Sequence, residues 1–251
     1  MTKINNMTDH NKTKSNKTTG KTTEWILISL AAVFLLIMII CGAVTLMVYY
    51  KGFYISQYQN NKVYQSMVDR GFSPDIKDAI ELGNNATDNL IDYFKGKQEL
   101  RYFDEKETSH MRDVKIFLST ITVLYYTSIL FFIIIFIILY NRHKKDIYEF
   151  IHTISKILLT CAITGLAGII ILGLMSVLYF DITFSLFHAI FFAPGTYLFD
   201  TSSLLITLFP EKFFFNIAIR IYLYIFFQCI IFLLIGWWMN KEIKLYKKFK
   251  K

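Results

Sequence analysis

Four long apolar stretches constrain the fold of this 251-residue chain more than any other feature. They cover residues 25–50, 116–140, 157–180 and 213–238, and each is long enough to cross a bilayer as a helix. The first three contain no charged residue, and only Arg220 interrupts the fourth. With 54% hydrophobic residues, the composition leaves no realistic soluble alternative. The sequence therefore predicts an all-α membrane protein with four transmembrane helices.

The distribution of basic residues predicts the orientation of these helices. Lys and Arg are concentrated in residues 1–24, in the connection 141–156 and in residues 239–251, while the segments 51–115 and 181–212 have no basic excess. Because short basic segments stay on the cytoplasmic side, both termini and the connection 141–156 are expected inside, and the other two segments outside. The net charge of +8 then reflects topology and attraction to anionic membrane lipid, and nucleic-acid binding is the weaker explanation.

The terminal segments have different compositions. Residues 1–24 are rich in Thr, Asn and Lys, which predicts a disordered cytoplasmic tail, and residues 239–251 form a basic cytoplasmic tail. The apolar stretch 25–50 is too long for a cleaved signal peptide and is interpreted as the first anchor.

The outer segment 51–115 predicts a small helical extracytoplasmic cap. Ser73 is expected to cap a helix with Pro74 in its first turn, and residues 83–85, Gly-Asn-Asn, are expected to divide that region into two short helices.

The second outer segment, 181–212, is unusually apolar for a connection. Residues 184–192 are too few to span a membrane, and Pro194 and Gly195 end the run, so a re-entrant or interfacial helix is expected. A second short run, 204–210, is expected to line a pocket that is open to lipid.

Two histidines stand out as candidate catalytic residues because both fall just outside the same predicted membrane face. Glu107, His110 and Asp113 are spaced by three and should share a helix face, while His188 lies among phenylalanines. An apolar site favours the neutral imidazole that a general base requires. The alternative interpretations are an ordinary interfacial His110 that is hydrogen-bonded to Glu107 or Asp113, and a metal site formed by these residues and His188.

Arg220 is a charge within the fourth apolar stretch, about two turns from its outer end. It is expected either to support the outer loop, with Asp181 or Asp200 as its partner, or to donate hydrogen bonds to an ester oxygen.

These motifs resemble the bacterial lipoprotein intramolecular transacylase (Lit) family. The resemblance rests on Glu107-x-x-His110-Met111-x-Asp113-Val114-Lys115, on Phe187-His188 with Phe191-Phe192, and on Leu208-Phe209-Pro210. It extends from about Trp25 to Trp238 and implies the four-span layout. The family often has Trp at the position of Tyr197 and an acidic residue near residues 201–203, which are Thr-Ser-Ser here.

The resemblance implies an acyltransferase that moves the sn-2 acyl chain of a diacylglyceryl lipoprotein to the α-amino group of its N-terminal cysteine, which gives a lyso-form lipoprotein. The family's two histidines correspond to His110 and His188. Glu107, Asp113, Lys115, Asp200 and Arg220 are candidate supporting residues. A neutral imidazole suits this chemistry because it can take a proton from the amine, and no cofactor or metal is expected.

Two other functions are also compatible with the sequence. One is a metal-dependent membrane hydrolase that uses the same histidines and carboxylates. The other is a transporter or lipoprotein-binding factor without catalysis, which the shortage of charges within the spans disfavours. The expected location is a bacterial cytoplasmic membrane, with the active site on its extracytoplasmic side.

Overall fold

The computed structural model describes the backbone from Thr2 to Phe249 and the side chains from Gly20 to Phe249. All regular structure in this part of the chain is helical. The helices are α1 (Thr2–Tyr49), α2 (Lys51–Asn60), α3 (Val63–Asp69), α4 (Ile76–Phe94), α5 (Glu105–His143), α6 (Ile147–Leu178), α7 (Phe180–Phe191), α8 (Leu204–Leu208) and α9 (Glu211–Phe249).

Four of these helices are long and apolar enough to cross a membrane, which confirms the predicted fold class. The qualifying segments are Gly20–Tyr49, Glu105–His143, Ile147–Leu178 and Glu211–Phe249. Only 11% of the most apolar window is buried within the protein in the α5 and α9 segments. Since water is a poor environment for so much exposed apolar surface, lipid is the medium that fits these helices.

The helices extend beyond the apolar stretches from which they were predicted. The helix α5 begins at Glu105, inside the predicted cap 51–115, and α9 continues to Phe249, through the predicted basic tail 239–251. The helix α1 begins at Thr2, so the backbone of residues 2–24 is helical, whereas the sequence predicted a disordered tail up to residue 24. Hydropathy detects the part of a helix that lipid can cover, and helix propensity carries the backbone further. The side chains of residues 1–19 lie outside the described residues.

The described chain divides into two compact units. The first unit contains residues up to Ile39, Tyr126–Leu166 and the part from Phe227 onward. Within it, the Phe34 and Phe131 rings stack at 5.2 Å. Cys161 and Cys229 are buried and carry free thiols.

The second unit, Ile40–Tyr125 and Ala167–Phe226, contains the cap and both histidines. Its hydrophobic core includes Phe53 and Tyr58 of α2, Met67 of α3, Leu90 of α4 and Leu208 of α8. Tyr58 is fully buried, and burial raises the pKa of its hydroxyl, so the proton stays in place. Thr87 Oγ1 donates its own proton to the Gly83 carbonyl, and Tyr58 therefore donates to Thr87 over 2.8 Å. The predicted helical cap is thus a packed structure.

Two details of the cap differ from the prediction. Asp75, and not Ser73, caps α4, because its side chain accepts the backbone N–H of Asp78 at 2.9 Å. The sequence also predicted a break at residues 83–85, but α4 continues through them to Phe94. Gly83 is buried there, and a Cβ at this position would lie 3.1 Å from Cε1 of Tyr64. The glycine therefore allows close packing of α3 on α4 and does not end the helix.

The outer loop contains two short helices. The apolar helix α7 is followed by Gly195, whose φ of +85° suits glycine. The helix α8 has Ser203 as its N-cap, and Leu204, Leu205, Leu208 and Phe209 belong to the core of the cap. The run 204–210 is therefore fixed largely by the cap, and four of its residues, Leu205, Ile206, Phe209 and Pro210, also line a pocket, as the sequence predicted.

Candidate active site

His110 and His188 come from different helices and meet in space. Their ring centroids are 6.2 Å apart and their planes are inclined by 21°. His110 lies on α5 one turn after Glu107, and His188 lies on the last turn of α7. They are 78 positions apart in the sequence, so only the folding of α7 against the start of α5 brings them together.

Aromatic rings surround the two imidazoles. Phe192 lies 5.1 Å from His110 and 5.5 Å from His188 between ring centroids. Phe199 lies 5.5 Å from His110, and Tyr197 lies 4.8 Å from His188. For His110, which is buried, this apolar surrounding disfavours a charged imidazole and therefore favours the neutral ring.

The hydrogen bond of His188 defines its tautomer. Its Nδ1 lies 2.9 Å from the carbonyl oxygen of Phe184, one turn earlier on α7. A carbonyl oxygen only accepts, so Nδ1 carries the proton in this contact. In the neutral ring, Nε2 then holds the free lone pair and is available as a base.

His110 is in a different state of hydrogen bonding. Its side chain is 6% exposed, and its buried Nδ1 has no hydrogen-bond partner among the described residues. Because buried polar atoms are nearly always paired, an unpaired imidazole nitrogen in a pocket is a feature that a bound group could satisfy.

The two histidines line the same pocket, which has a volume of about 390 Å³. Its walls are mainly aromatic and aliphatic. The other lining residues are Met111, Phe184, Ser185, Tyr197, Leu198, Phe199, Leu205, Ile206, Phe209, Pro210, Glu211 and Phe214. A mostly apolar pocket with a few polar groups is typical of a site that binds an apolar ligand and acts on one polar part of it.

Glu107 does not line the cavity and instead binds residues of the pocket wall. Its side chain is 2% exposed, and its carboxylate accepts hydrogen bonds from the Ser203 hydroxyl and from the Leu205 N–H at 2.9 Å. The same carboxylate accepts the Asp104 N–H at 2.9 Å, while Asp104 accepts the Glu107 N–H at 2.8 Å. This reciprocal pair is a capping box at the start of α5. Glu107 thus ties α8 and its pocket wall to the helix that carries His110.

Two basic side chains also hold the outer loop. Lys106 donates to the carbonyl of Leu198, and Arg70 donates to the carbonyl of Thr201 at 2.7 Å. Arg70 also reaches the Thr207 hydroxyl at 3.0 Å.

The remaining sequence candidates lie outside the pocket lining. Asp113 is half-buried on α5, and Lys115 points its ammonium over the Tyr93 ring at 4.0 Å. Asp200 is exposed. Arg220 places its guanidinium over the Phe53 ring at 4.8 Å, and within the described part of the chain it forms no ion pair with Asp181 or Asp200. The prediction of an acidic partner for Arg220 was therefore wrong. Arg220 instead makes a cation–π contact with Phe53 of the cap.

The alternative metal site is not supported by the geometry. In the range from Gly20 to Phe249, no three His, Cys, Asp or Glu side chains are grouped so that they could hold a metal ion. Glu107, one of the suggested ligands, directs its carboxylate to α8 and to the cap of α5.

Sequence reasoning missed the contact between Glu107 and Ser203, which are 96 positions apart. The only signal for it was Ser203 directly before a short apolar run, which is typical of an N-cap. It also missed Phe184, whose carbonyl orients His188, since no side-chain pattern reveals a backbone acceptor.

Fold and site together define a helical membrane protein with a histidine pair in an apolar pocket. The model of the lipoprotein intramolecular transacylase Lit family matches residues 29–214, well over half of the chain. This chain therefore belongs to the Lit family, a family of membrane-integral acyltransferases.

Solved structures show the same fold. The membrane-integral lipoprotein intramolecular transacylase Lit from Bacillus cereus is similar with a TM-score of 0.74 and 22% identity, over 90% of this chain and 99% of that one. A structure of the same protein with a histidine replaced by alanine gives a TM-score of 0.72 at 22% identity, over 92% and 99% of the two chains. A comparison with curated proteins gives no significant match.

Proposed function

We propose that this protein moves the sn-2 acyl chain of a diacylglyceryl lipoprotein to the α-amino group of that lipoprotein's N-terminal cysteine. The product is a lyso-form lipoprotein. The observation that carries the proposal is the meeting of His110 and His188 in a mostly apolar pocket. Family membership supports the reaction class, and the apolar walls suit acyl chains.

His188 is the general base in this proposal. Its Nδ1–H is held by the Phe184 carbonyl, which leaves the Nε2 lone pair to accept a proton from the substrate amine. An α-amine has an ordinary pKa of about 7.7 to 8.0, so the protonated amine first releases one proton to water, and the neutral amine then attacks the ester while His188 takes the second proton from its nitrogen.

His110 is the hydrogen-bond donor in the same proposal. As the amine nitrogen bonds to the ester carbonyl carbon, negative charge develops on the carbonyl oxygen, and a neutral imidazole N–H next to it stabilises that charge. The carbon–oxygen bond to glycerol then breaks, and the proton that His188 takes from the attacking nitrogen passes to the glycerol oxygen. The neutral amine and the ester thus give an amide and a free hydroxyl, and no oxidant or cofactor is required.

Because the reaction is intramolecular, a site with two histidines and an apolar pocket is sufficient for acyl transfer. Amine and ester belong to one molecule, so the pocket needs only to fold the substrate until the two groups meet. Correct positioning of two groups in one molecule contributes effective molarities of about 10⁵ to 10⁸ M.

We place the pocket on the extracytoplasmic side of a bacterial cytoplasmic membrane, with both termini inside. The support is the concentration of Lys and Arg at the other ends of the spans. Diacylglyceryl lipoproteins in the outer leaflet would then reach the pocket without crossing the membrane.

The test is expression in a bacterium that lacks its own N-acylating enzyme, followed by mass spectrometry of lipoprotein N-terminal peptides. We expect N-acylated cysteine with one acyl chain left on glycerol. Intact diacylglyceryl cysteine with a free amine, at a verified level of membrane-inserted protein, would contradict the proposal.

A further inference from the structure

Glu211 is the acidic residue of the pocket. Among the described residues that line the cavity, it carries the only carboxylate. It is the first residue of α9 and its side chain is exposed, so the carboxylate stands at the mouth of the pocket before the apolar part of the helix. Neither sequence motifs nor family resemblance singled out this residue.

A second carboxyl group lies beside it. Asp181, in the first turn of α7, is within hydrogen-bonding reach of Glu211. Neither side chain forms an ion pair with another residue in the part of the chain that the structure describes. When both carboxyl groups are ionised they repel each other, and a cation bound beside them relieves the repulsion.

The inner part of the same pocket contains a buried polar atom without a hydrogen-bond partner among the described residues. His110 lines it, is 6% exposed and has an unpaired Nδ1. The pocket therefore combines a negative mouth, apolar aromatic walls and an unsatisfied imidazole. A ligand that fits this pocket is an amphiphile with a positive charge close to a polar group such as an ester.

We propose that Glu211, with Asp181 beside it, binds the protonated α-amino group of the substrate's N-terminal cysteine and positions it for His188. This inference rests on the proposed function and adds the recognition of the amine to it. An α-amine is mainly protonated at neutral pH, so the carboxylates meet it as an ammonium group.

The ammonium contact also explains how the site distinguishes substrate from product. Transfer converts the amine into a neutral amide, which a carboxylate pair no longer attracts. The product therefore binds more weakly than the substrate, and a lipoprotein that is already N-acylated is excluded. Glu211 also stabilises the protonated amine, which opposes its activation, so its contribution is to binding and not to the chemical step.

The experiment measures binding separately from turnover. The probe is a synthetic lipopeptide whose glycerol carries ether-linked chains, which cannot be transferred, with either a free or an acetylated N-terminal amine. We expect the wild-type protein in detergent to bind the free-amine form about 10-fold more tightly, as a charge-assisted hydrogen bond would give. Glu211→Gln should remove this difference, and Asp181→Asn should reduce it.

Turnover of the ester-linked lipopeptide gives the second measurement. Glu211→Gln should raise KM about 10-fold with kcat within a few-fold of the wild type, because the lost contact contributes to binding and not specifically to the transition state. The control is Glu105→Gln, an exposed carboxylate on the first turn of α5 outside the pocket, which should change neither constant.

Equal binding of the two ether lipopeptides by the wild-type protein would overturn the inference, and so would a preserved preference in a folded Glu211→Gln variant. An effect of Glu105→Gln equal to that of Glu211→Gln would do the same, because it would show a nonspecific charge effect. A clear amine preference without any acyl transfer would overturn the proposed reaction but leave the ammonium site standing.

Discussion

At the scale of single residues, Glu107 connects α5, the helix that carries His110, to the pocket wall. Its buried carboxylate accepts hydrogen bonds from Asp104, Ser203 and Leu205. A carboxylate suits this position because it offers only acceptors. The spacing of Glu107 and His110 therefore has a physical consequence: Glu107 positions the pocket wall, and His110, one turn later, presents its imidazole to the pocket.

Glu107→Gln tests this role. The amide retains one acceptor oxygen but turns an NH₂ group toward an N–H or O–H donor, so at least one buried hydrogen bond is lost. We expect a loss of stability of about 1 to 3 kcal/mol. Thermal unfolding in detergent measures it, with Glu105→Gln on the same turn as the control. Equal melting temperatures of the two variants would contradict the positioning role.

At the scale of elements, the cap depends on how α4 begins. Asp75 accepts the N–H of Asp78, whereas Ser73, although buried, has no side-chain hydrogen bond among the described contacts. The two residues are close in sequence and both are good cap formers, so the sequence did not separate them.

Alanine substitutions at Asp75 and Ser73 should therefore differ in their effect on stability. Asp75→Ala should destabilise the cap by about 1 kcal/mol because an N–H at the start of α4 loses its acceptor. Ser73→Ala should change stability far less. Thermal unfolding of the two variants decides between them, and a larger loss for Ser73→Ala would show that the cap was assigned wrongly.

The elements also show what the sequence could and could not predict. The apolar stretches predicted the four long helices, because burial in lipid depends on composition along the chain. The break expected at Gly83 was wrong, because the glycine serves the packing of Tyr64 from another helix. The meeting of His110 with His188, and the bond of Glu107 to Ser203, depend on contacts between distant segments that a pattern in one segment does not contain.

At the scale of the whole molecule, the account requires the cap and pocket to face the outside. Lys77 on α4 and Lys144 after α5 are exposed residues in the predicted outer and inner segments. The native cysteines Cys41, Cys161 and Cys229 are buried, so they should react little with a thiol-specific reagent.

Single cysteines at these two positions test the orientation. In intact cells or spheroplasts, a membrane-impermeant maleimide should label Lys77→Cys and leave Lys144→Cys unlabelled until the membrane is permeabilised. If only Lys144→Cys is labelled from outside, the protein is inserted in the opposite orientation to the one that the charge distribution predicts.

The position of the acyl chain after purified protein acts on a diacylglyceryl cysteine lipopeptide decides whether this protein is a transacylase that uses the two histidines. Mass spectrometry of the N-terminal fragment should show transfer from glycerol to nitrogen by the wild type. His188→Gln and His110→Gln should each slow it at least about 100-fold, as the loss of an acid–base or electrostatic group does. His152→Gln, a histidine in the α6 part of the other unit, is the matched control and should retain activity. Wild-type transfer by a variant that lacks both His110 and His188 would contradict the account.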